Sequence, residues 1–282
     1  MSFGSRVRAA MDAYGPACVG IDPHAALLDD WNLPDSVEGL ERFAATCVEA
    51  FAGRVGFVKP QSAFFERFGA RGVAVLERTV QDLRHTGTLV VLDVKRGDIG
   101  STAAAYAEAY LDKDSPMCTD AVTVSPYLGF GSLEPFFEVA EQHDGGVFVL
   151  ALTSNPEGPE VQAARKDGVS VAGRILAQLK ALNGDQAPMG SFGAVVGATI
   201  GTTDEDLAIN GPLLAPGLGA QGGTVDDVVR LFGPVAEFVL PSTSRGVLAS
   251  GPDVQALRDS AAQVNAELVR SLQMNSTSRS PQ

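Results

Sequence analysis

Eight short apolar runs recur along the chain, and they alternate with longer segments whose apolar residues are spaced three and four apart. Each run has the length of a strand and ends in Gly, Pro, Ser, Thr or a charged residue. Near-continuous apolar strands separated by amphipathic helices are typical of parallel strands covered by helices. The runs span residues 17–22, 55–60, 88–95, 120–126, 146–153, 192–199, 213–219 and 236–242.

The spacing of these runs distinguishes a closed barrel from an open sheet. Eight strands in 282 residues leave about 35 residues per strand and helix unit, which suits an α/β barrel. The rival doubly wound fold typically carries Gly-x-Gly-x-x-Gly after its first strand, and residues 19–30, VGIDPHAALLDD, lack it. The sequence therefore predicts a single (β/α)8 TIM barrel, with helices including 37–53, 71–87, 102–113 and 169–184.

Two segments depart from this regular pattern. Residues 153–168 form a long polar stretch, which is either a lid or a plain surface insertion. Residues 273–282 are polar and have no apolar period, so we expect a disordered tail. The predicted organisation is one barrel domain at 1–272 followed by that tail.

The composition limits the classes of partner. A formal net charge of −13 opposes the broad basic surface needed for nucleic acid or anionic lipid, although a local cation cluster could still bind an anionic small molecule. Cys18, Cys47 and Cys118 form no Cys-x-x-Cys pair, which favours reduced thiols over a disulfide framework or a zinc site. With no signal-peptide pattern and no apolar run of about 20 residues, we expect a cytoplasmic protein without a membrane partner.

Charged residues collect where the third predicted strand ends. Asp93 and Lys95 are two positions apart, so in an extended strand they point the same way, and Lys59 lies at the matching level of the neighbouring strand. Asp98 follows at the turn into the next helix. Two lysines and two aspartates are nearly neutral together, which makes burial tolerable. The alternatives are a helix N-cap for Asp98, a surface lysine at Lys59, and a solvated cluster.

A glycine-rich stretch follows the seventh predicted strand. Gly217, Gly219, Gly222 and Gly223 in 215–223 free the backbone to approach a ligand and to point N–H groups at an anion. The loops after strands 7 and 8 are the usual phosphate site of barrel enzymes, and Arg245 follows strand 8. Asp22, Ser125 and Thr153 end other strands, so these polar residues are expected at the same barrel mouth.

The segment at 90–102, VVLDVKRGDIGST, resembles the Asp-x-Lys-x-x-Asp-[Ile/Val]-x-x-Thr signature of the orotidine 5'-phosphate decarboxylase family. The stretches GIDP, FVKPQ, SPYLGFGS and PGLGAQGG, with the late arginine, are similar to the longer bacterial branch of that family. The resemblance covers roughly residues 20–248. It implies decarboxylation of orotidine 5'-monophosphate to UMP and CO₂, without metal or cofactor, as the last step of de novo UMP synthesis.

The resemblance also implies roles for individual residues. Lys59, Asp93, Lys95 and Asp98 form a charged array, in which Lys95 protonates C6 of the pyrimidine. Asp98 and Thr102 reach the site of a partner subunit, so the chain is a homodimer with shared active sites.

The remaining implied roles concern substrate binding. Asp22 binds the ribose hydroxyls, Ser125 the pyrimidine edge, and Gln221 and Arg245 the phosphate beside the glycine loop. Ser244 departs from the family, where glycine often precedes this arginine.

Two rival functions stay open from the sequence. A related barrel decarboxylase acting on a sugar phosphate such as 3-keto-gulonate 6-phosphate shares Asp-x-Lys-x-x-Asp but uses Mg²⁺. Lys59 argues against it, because an ammonium group would lie beside the divalent cation. The other rival is a nucleotide-binding protein without turnover, which the joint presence of the charged residues disfavours.

Overall fold

The backbone forms ten strands in the computed structural model, which describes residues 1–219 and 222–277. The strands are β1 (Cys18–Ile21), β2 (Phe57–Pro60), β3 (Leu89–Arg96), β4 (Ala121–Val124), β5 (Gly146–Leu152), β6 (Arg165–Lys166), β7 (Val169–Ser170), β8 (Phe192–Val196), β9 (Leu213–Pro216) and β10 (Val239–Thr243). Eight of them close into a barrel in the order β1-β10-β9-β8-β5-β4-β3-β2, and all neighbours pair in parallel. β6 and β7 form a separate antiparallel hairpin.

Helices cover the outside and the amino-terminal end of this barrel. They are α1 (Phe3–Tyr14), α2 (Ala25–Asp30), α3 (Val37–Phe51), α4 (Ala63–Glu66), α5 (Gly69–His85), α6 (Gly100–Leu111), α7 (Glu134–His143), α8 (Gly158–Gln162), α9 (Val171–Asn183), α10 (Val225–Phe232), α11 (Arg245–Leu248) and α12 (Val254–Thr277). The predicted (β/α)8 barrel is confirmed, and each predicted apolar run overlaps one barrel strand, although β3 and β10 each extend one residue past their runs. The continuous apolar sequence of each run therefore correctly indicated a strand that is buried on both faces.

The strands separate two apolar cores. Outward-facing residues such as Val58, Val90 and Val122 pack beneath the helices. Inward-facing residues such as Phe57 join side chains of α1, which lies across the amino-terminal end of the barrel. Phe3 of α1 is fully buried there and meets the ring of Phe148 edge-on. Because α1 closes this end, the interior opens towards the carboxyl ends of the strands.

The interior changes from apolar to polar along the strands. Phe57, Val91 and Ala121 belong to the inner apolar core. Lys59, Asp93 and Thr123 each follow one of them by two positions, and side chains two apart lie on the same face of a strand. The barrel therefore carries a polar layer above its apolar floor, at the carboxyl ends where barrel enzymes bind their ligands.

Both irregular segments contain regular secondary structure. Residues 153–168 contain α8 and the first strand of the β6–β7 hairpin, so the segment has secondary structure of its own. α12 continues to Thr277, so the first five residues of the predicted disordered tail are helical. Residues 278–282 lie outside the described residues, and their disorder stays a prediction. Among the described helices, none combines the length and apolar character that a membrane crossing requires.

Candidate active site

The carboxylate of Asp93 lies at the centre of the polar layer and accepts four side-chain hydrogen bonds. Its Oδ1 is 2.7 Å from Lys95 Nζ and 2.7 Å from Thr123 Oγ1. Its Oδ2 is 3.1 Å from Lys59 Nζ and 3.0 Å from Gln61 Nε2. Each oxygen therefore has one cationic and one neutral donor, which fixes the plane of the carboxylate.

Opposite charges keep this buried cluster ionised. The Asp93 and Lys59 side chains are 9% and 7% exposed. Burial alone raises the pKa of Asp93, but Lys59 and Lys95 outweigh it and hold that pKa below its usual range. Burial lowers the pKa of Lys59, but Asp22, whose carboxylate is 4.0 Å away, and Asp93 hold that pKa above its usual range. Lys95 is 46% exposed, so it is the array's more accessible cation.

A β-bulge in β3 brings Lys95 to Asp93. Leu92 pairs with Val122 and Arg96 with Val124, so residues 93–95 lie opposite a single residue of β4. Lys95 has a φ of +45°, a left-handed conformation that is uncommon outside glycine. Such conformations persist where the surroundings over-determine them, often at functional sites. The predicted Asp93–Lys95 contact is confirmed, but a bulge produces it and not a regular extended strand.

Gln61 is a site residue that the sequence interpretation missed. It forms an isolated parallel bridge with Asp93, whereas Lys59 is two residues earlier on the same segment and reaches up to the carboxylate. The prediction that Lys59 is level with Asp93 was therefore wrong: Gln61 is level with Asp93, and Lys59 lies two residues below it. The signal was present in the sequence, because Gln61 follows Lys59 by two and shares its face.

The glycine loop and Arg245 line the pocket together with the charged array. Gly217 and Arg245 face the same cavity as Asp22, Lys59, Asp93 and Lys95.

Gly217, Gly219 and Gly222 have φ values of +111°, +82° and +87°, so the turn requires glycine. Gln221, predicted at the phosphate, lies outside the described residues.

The expected presentation of glycine N–H groups to an anion is wrong for three positions. The N–H of Gly219 donates to Gly223 O, that of Gly222 to Gly219 O, and that of Gly223 to Gly217 O. These N–H groups stabilise the turn itself. In this structure the loop therefore forms part of the pocket wall, and Arg245 provides the positive charge for an anion. Ser244 has a φ of −118°, so no glycine is needed before this arginine.

Ser125 does not line the pocket, contrary to its predicted place. Ser125 directly follows β4, is half-buried, and its N–H donates to Arg96 O at 2.7 Å. Ser154, after β5, lines the pocket instead, beside Thr153 and Asn155. The bulge explains the difference, because the Arg96 end of β3 lies against Ser125 and draws it into the strand pairing.

Asp98 and Thr102 also lie outside the pocket of their own chain. The Asp98 carboxylate accepts the N–H of Ile99 at 2.8 Å. Ile99 is the N-cap residue of α6, so the alternative that Asp98 caps this helix is wrong. Thr102 is exposed in the first turn of α6. A single chain therefore assembles three of the four predicted array residues.

Comparison with known proteins identifies the family. A model described as the "Orotidine 5'-phosphate decarboxylase / HUMPS family" matches residues 15–260. The chain belongs to this family. A relative from Nocardioides sp., named orotidine 5'-phosphate decarboxylase, is 64% identical over 271 residues, covering 94% of this chain and 98% of the relative. A relative of the same name from Streptomyces coelicolor is 62% identical over 268 residues, covering 94% and 96%.

Solved structures of the family agree with the fold. A crystal structure from Streptomyces avermitilis is similar with a TM-score of 0.93 and 60% identity, covering 96% of each chain. The family match includes the whole signature from Asp93 to Thr102 and both Asp22 and Arg245. Within residues 1–219 and 222–277, no group of three or more His, Cys, Asp and Glu side chains has an arrangement suited to a metal ion.

Proposed function

We propose that the chain decarboxylates orotidine 5'-monophosphate to UMP and CO₂, the last step of de novo UMP synthesis, without metal or cofactor. The observation that carries the proposal is the Asp93 carboxylate held between the ammonium groups of Lys59 and Lys95 in the pocket that Arg245 also lines. The high identity to relatives of that name supports the substrate.

The chemistry follows from the charges of the array. The bond between C6 and the carboxylate carbon breaks, CO₂ leaves, and the electron pair stays on C6 as a carbanion. Lys95 provides a fixed cation beside this charge and then transfers a proton from Nζ to C6, giving UMP. The neutral Lys95 regains a proton from water. Asp93 faces the substrate carboxylate, so like-charge repulsion disappears as CO₂ leaves.

One lysine does not supply the whole rate enhancement. A unit charge pair at about 4 Å with an effective dielectric of about 20 gives about 4 kcal/mol, whereas highly proficient enzymes lower barriers by about 23 kcal/mol. Binding energy from the remote phosphate is the additional source, because it holds the ring against the prearranged charges. Arg245 is the residue proposed to bind that phosphate.

Two unpartnered polar atoms support a polar ligand in the pocket. Among the described residues, Asp22 Oδ1 and Ser244 Oγ are buried and have no hydrogen-bond partner. Buried polar atoms are nearly always satisfied, so such exceptions call for a partner. We place the ribose hydroxyls at Asp22 and the phosphate at Arg245. Ser154, which lines the pocket, replaces Ser125 as the proposed contact of the pyrimidine edge.

The rival activity on a sugar phosphate requires Mg²⁺ at the carboxylates. The Lys59 ammonium is 3.1 Å from Asp93 Oδ2 and 4.0 Å from Asp22 Oδ1, in the position that such a cation would need. An ammonium there repels a divalent cation. The geometry therefore supports the metal-free reaction.

Product analysis in D₂O tests the proposed reaction. Purified protein is incubated with orotidine 5'-monophosphate in EDTA, and the product is examined by proton NMR. We expect UMP carrying deuterium at C6, at the same rate when Mg²⁺ replaces EDTA. Turnover of 3-keto-gulonate 6-phosphate that depends on Mg²⁺, with orotidine 5'-monophosphate unchanged, would establish the rival. UMP binding without turnover of either compound would indicate a binding protein.

We also propose that the chain acts as a homodimer with shared sites. Asp98 and Thr102 do not line their own pocket, and the apolar side chains of Ile99, after β3, and of Tyr127 and Leu128, after the neighbouring β4, are 61%, 78% and 53% exposed. Large apolar side chains exposed after two neighbouring strands suit an interaction surface at this end of the barrel. A second copy covering it would carry Asp98 to the neighbouring site.

A mixing experiment tests this arrangement. Lys95→Ala and Asp98→Ala chains are each purified, mixed, and allowed to exchange subunits. Shared sites predict recovery to about one quarter of wild-type activity, since half of the dimers are mixed and each has one intact site. No recovery, with mixed dimers present by mass spectrometry, would contradict shared sites.

We propose a cytoplasmic location on the chemistry of the cysteines. Cys18, Cys47 and Cys118 are free thiols, and all three are buried. Burial raises the pKa of Cys18 to about 12, so this thiol is inert. Free buried thiols are usual in reducing compartments. Fractionation of cells with an antibody against the chain tests the location.

A further inference from the structure

The hydroxyl of Thr123 contacts three consecutive residues of β3. Its Oγ1 donates to Asp93 Oδ1 at 2.7 Å and accepts the backbone N–H groups of Val94 and Lys95 at 3.1 and 3.0 Å. Thr123 is 1% exposed and lies on β4, at the position opposite the bulge. One side-chain atom therefore joins the carboxylate of the array to the backbone of its accessible lysine.

The direction of these hydrogen bonds is fixed. A backbone N–H only donates, so the N–H groups of Val94 and Lys95 occupy the two lone pairs of the Thr123 hydroxyl oxygen. The remaining O–H then has one available acceptor, the ionised carboxylate of Asp93. Hydrogen bonds to an ionised group are shorter and stronger than neutral ones. The network therefore favours a single arrangement.

The bulge needs this hydroxyl for its own backbone. Residues 93–95 oppose Thr123 alone, so the regular ladder of hydrogen bonds between β3 and β4 is interrupted at Val94 and Lys95. Buried N–H groups are nearly always paired, and Thr123 Oγ1 satisfies both. The same contact holds Lys95 at its φ of +45°, which a non-glycine residue does not adopt readily.

We propose that Thr123 is a positioning residue for the decarboxylation. It acts through Asp93 and Lys95, by holding the bulge that directs the Lys95 ammonium to Asp93 and by fixing the orientation of the Asp93 carboxylate. This inference rests on the proposed function. It explains why a threonine lies in the otherwise apolar β4 sequence AVTV.

Two substitutions at Thr123 distinguish the effect of its hydroxyl group from the effect of its side-chain volume. Thr123→Val keeps the shape and removes the hydroxyl, whereas Thr123→Ser keeps the hydroxyl. The matched control is Thr119→Val, because Thr119 is 2% exposed and its Oγ1 donates to Val90 O at 2.9 Å near the start of the same strand pair. Steady-state kcat, KM and thermal stability are measured for all variants with orotidine 5'-monophosphate.

We expect Thr123→Val to lower kcat by about 10²-fold with a much smaller change in KM, because misplacement of reacting groups costs about that much. Thr123→Ser should restore most of kcat, and Thr119→Val should retain it. A wild-type kcat in folded Thr123→Val would overturn the proposal. An equal loss in Thr119→Val would also overturn it, since the effect would then be structural. If neither Thr123→Val nor Thr123→Ala folds, the role is structural and the proposal fails.

A crystal structure of Thr123→Val separates this inference from the proposed function. We expect Lys95 to leave its φ of +45° and its Nζ to move beyond about 4 Å from Asp93. An unchanged bulge would overturn the positioning role whatever the substrate. Failure of the wild-type chain to consume orotidine 5'-monophosphate overturns the proposed function alone.

Discussion

Lys59 and Asp93 form an ion pair of 3.1 Å between neighbouring barrel strands, where both side chains are almost excluded from water. Removing two charges from water is costly, and the cost is offset only when the geometry is good and the other hydrogen-bonding positions are filled. Gln61, Thr123 and Lys95 fill those positions on Asp93. The charges are thus arranged before substrate binds, which is the condition for electrostatic stabilisation without reorganisation.

Replacing Lys95 with alanine should abolish turnover and leave the fold intact. The lysine side chain is 46% exposed and Asp93 keeps its ion pair with Lys59, so little stability depends on it. We expect kcat to fall by at least about 10⁴-fold, the upper range for a general acid. Thermal unfolding and UMP binding provide the controls. A kcat within tenfold of wild type would exclude Lys95 as the proton donor.

Replacing Asp93 with asparagine should destabilise the protein by about 3 kcal/mol at neutral pH, because Lys59 is left buried beside a neutral group. The folded-state pKa of Asp93 is below its usual value of 3.8, so the ionised carboxylate contributes stability above that pH and the contribution is lost as the pH falls. The deficit should be constant from about pH 8 to 5 and shrink below about pH 4.

Urea unfolding of Asp93→Asn across this pH range is the measurement. Asp12→Asn is the matched control, because Asp12 is 67% exposed in its ion pair with Arg8. Its effect should be below about 1 kcal/mol. A deficit of the same size in both variants, or one that grows as the pH falls, would contradict the buried pair's role.

Replacing Arg245 with alanine should lower kcat/KM at least about tenfold for orotidine 5'-monophosphate, since a charge-assisted phosphate contact is lost. The same variant should act like wild type on orotidine, which has no phosphate. Arg67→Ala is the control, because Arg67 pairs with Asp35 and does not line the pocket. Equal losses on both substrates would remove Arg245 from the phosphate site.

The two candidate serines give opposite expectations. Ser154→Ala should lower kcat/KM by about tenfold, the cost of one hydrogen bond to the pyrimidine edge. Ser125→Ala should change it less than about threefold, because Ser125 lies outside the pocket. The reverse order of effects would restore the role first inferred for Ser125 from the family resemblance.

The barrel and the charged array were predictable from the sequence for the same physical reason. Apolar runs report strands buried on both faces, and a charge at the end of such a run has to meet an opposite charge nearby. Lys59, Asp93 and Lys95 were therefore found before their contacts were known, and the structure brings them together.

Residues whose role depends on strand register were not predictable in this way. A bulge in β3 shifts the pairing with β4, and this shift places Thr123 under the array and Ser125 outside the pocket. Ser154 lines the pocket because of where the loop after β5 lies, and the spacing of apolar residues in the sequence does not determine the position of a loop. Asp98 and Thr102 do not line the pocket of their own chain, so the geometry of one chain assigns them no contact with a ligand.

The most direct test of the central claim is the ultraviolet absorbance of orotidine 5'-monophosphate during incubation with the purified chain in EDTA. We expect a rapid fall in absorbance with the wild-type chain and no fall with Lys95→Ala. Absorbance that stays constant with folded wild-type protein, or that falls only after Mg²⁺ is added, would contradict metal-free decarboxylation by the charged array.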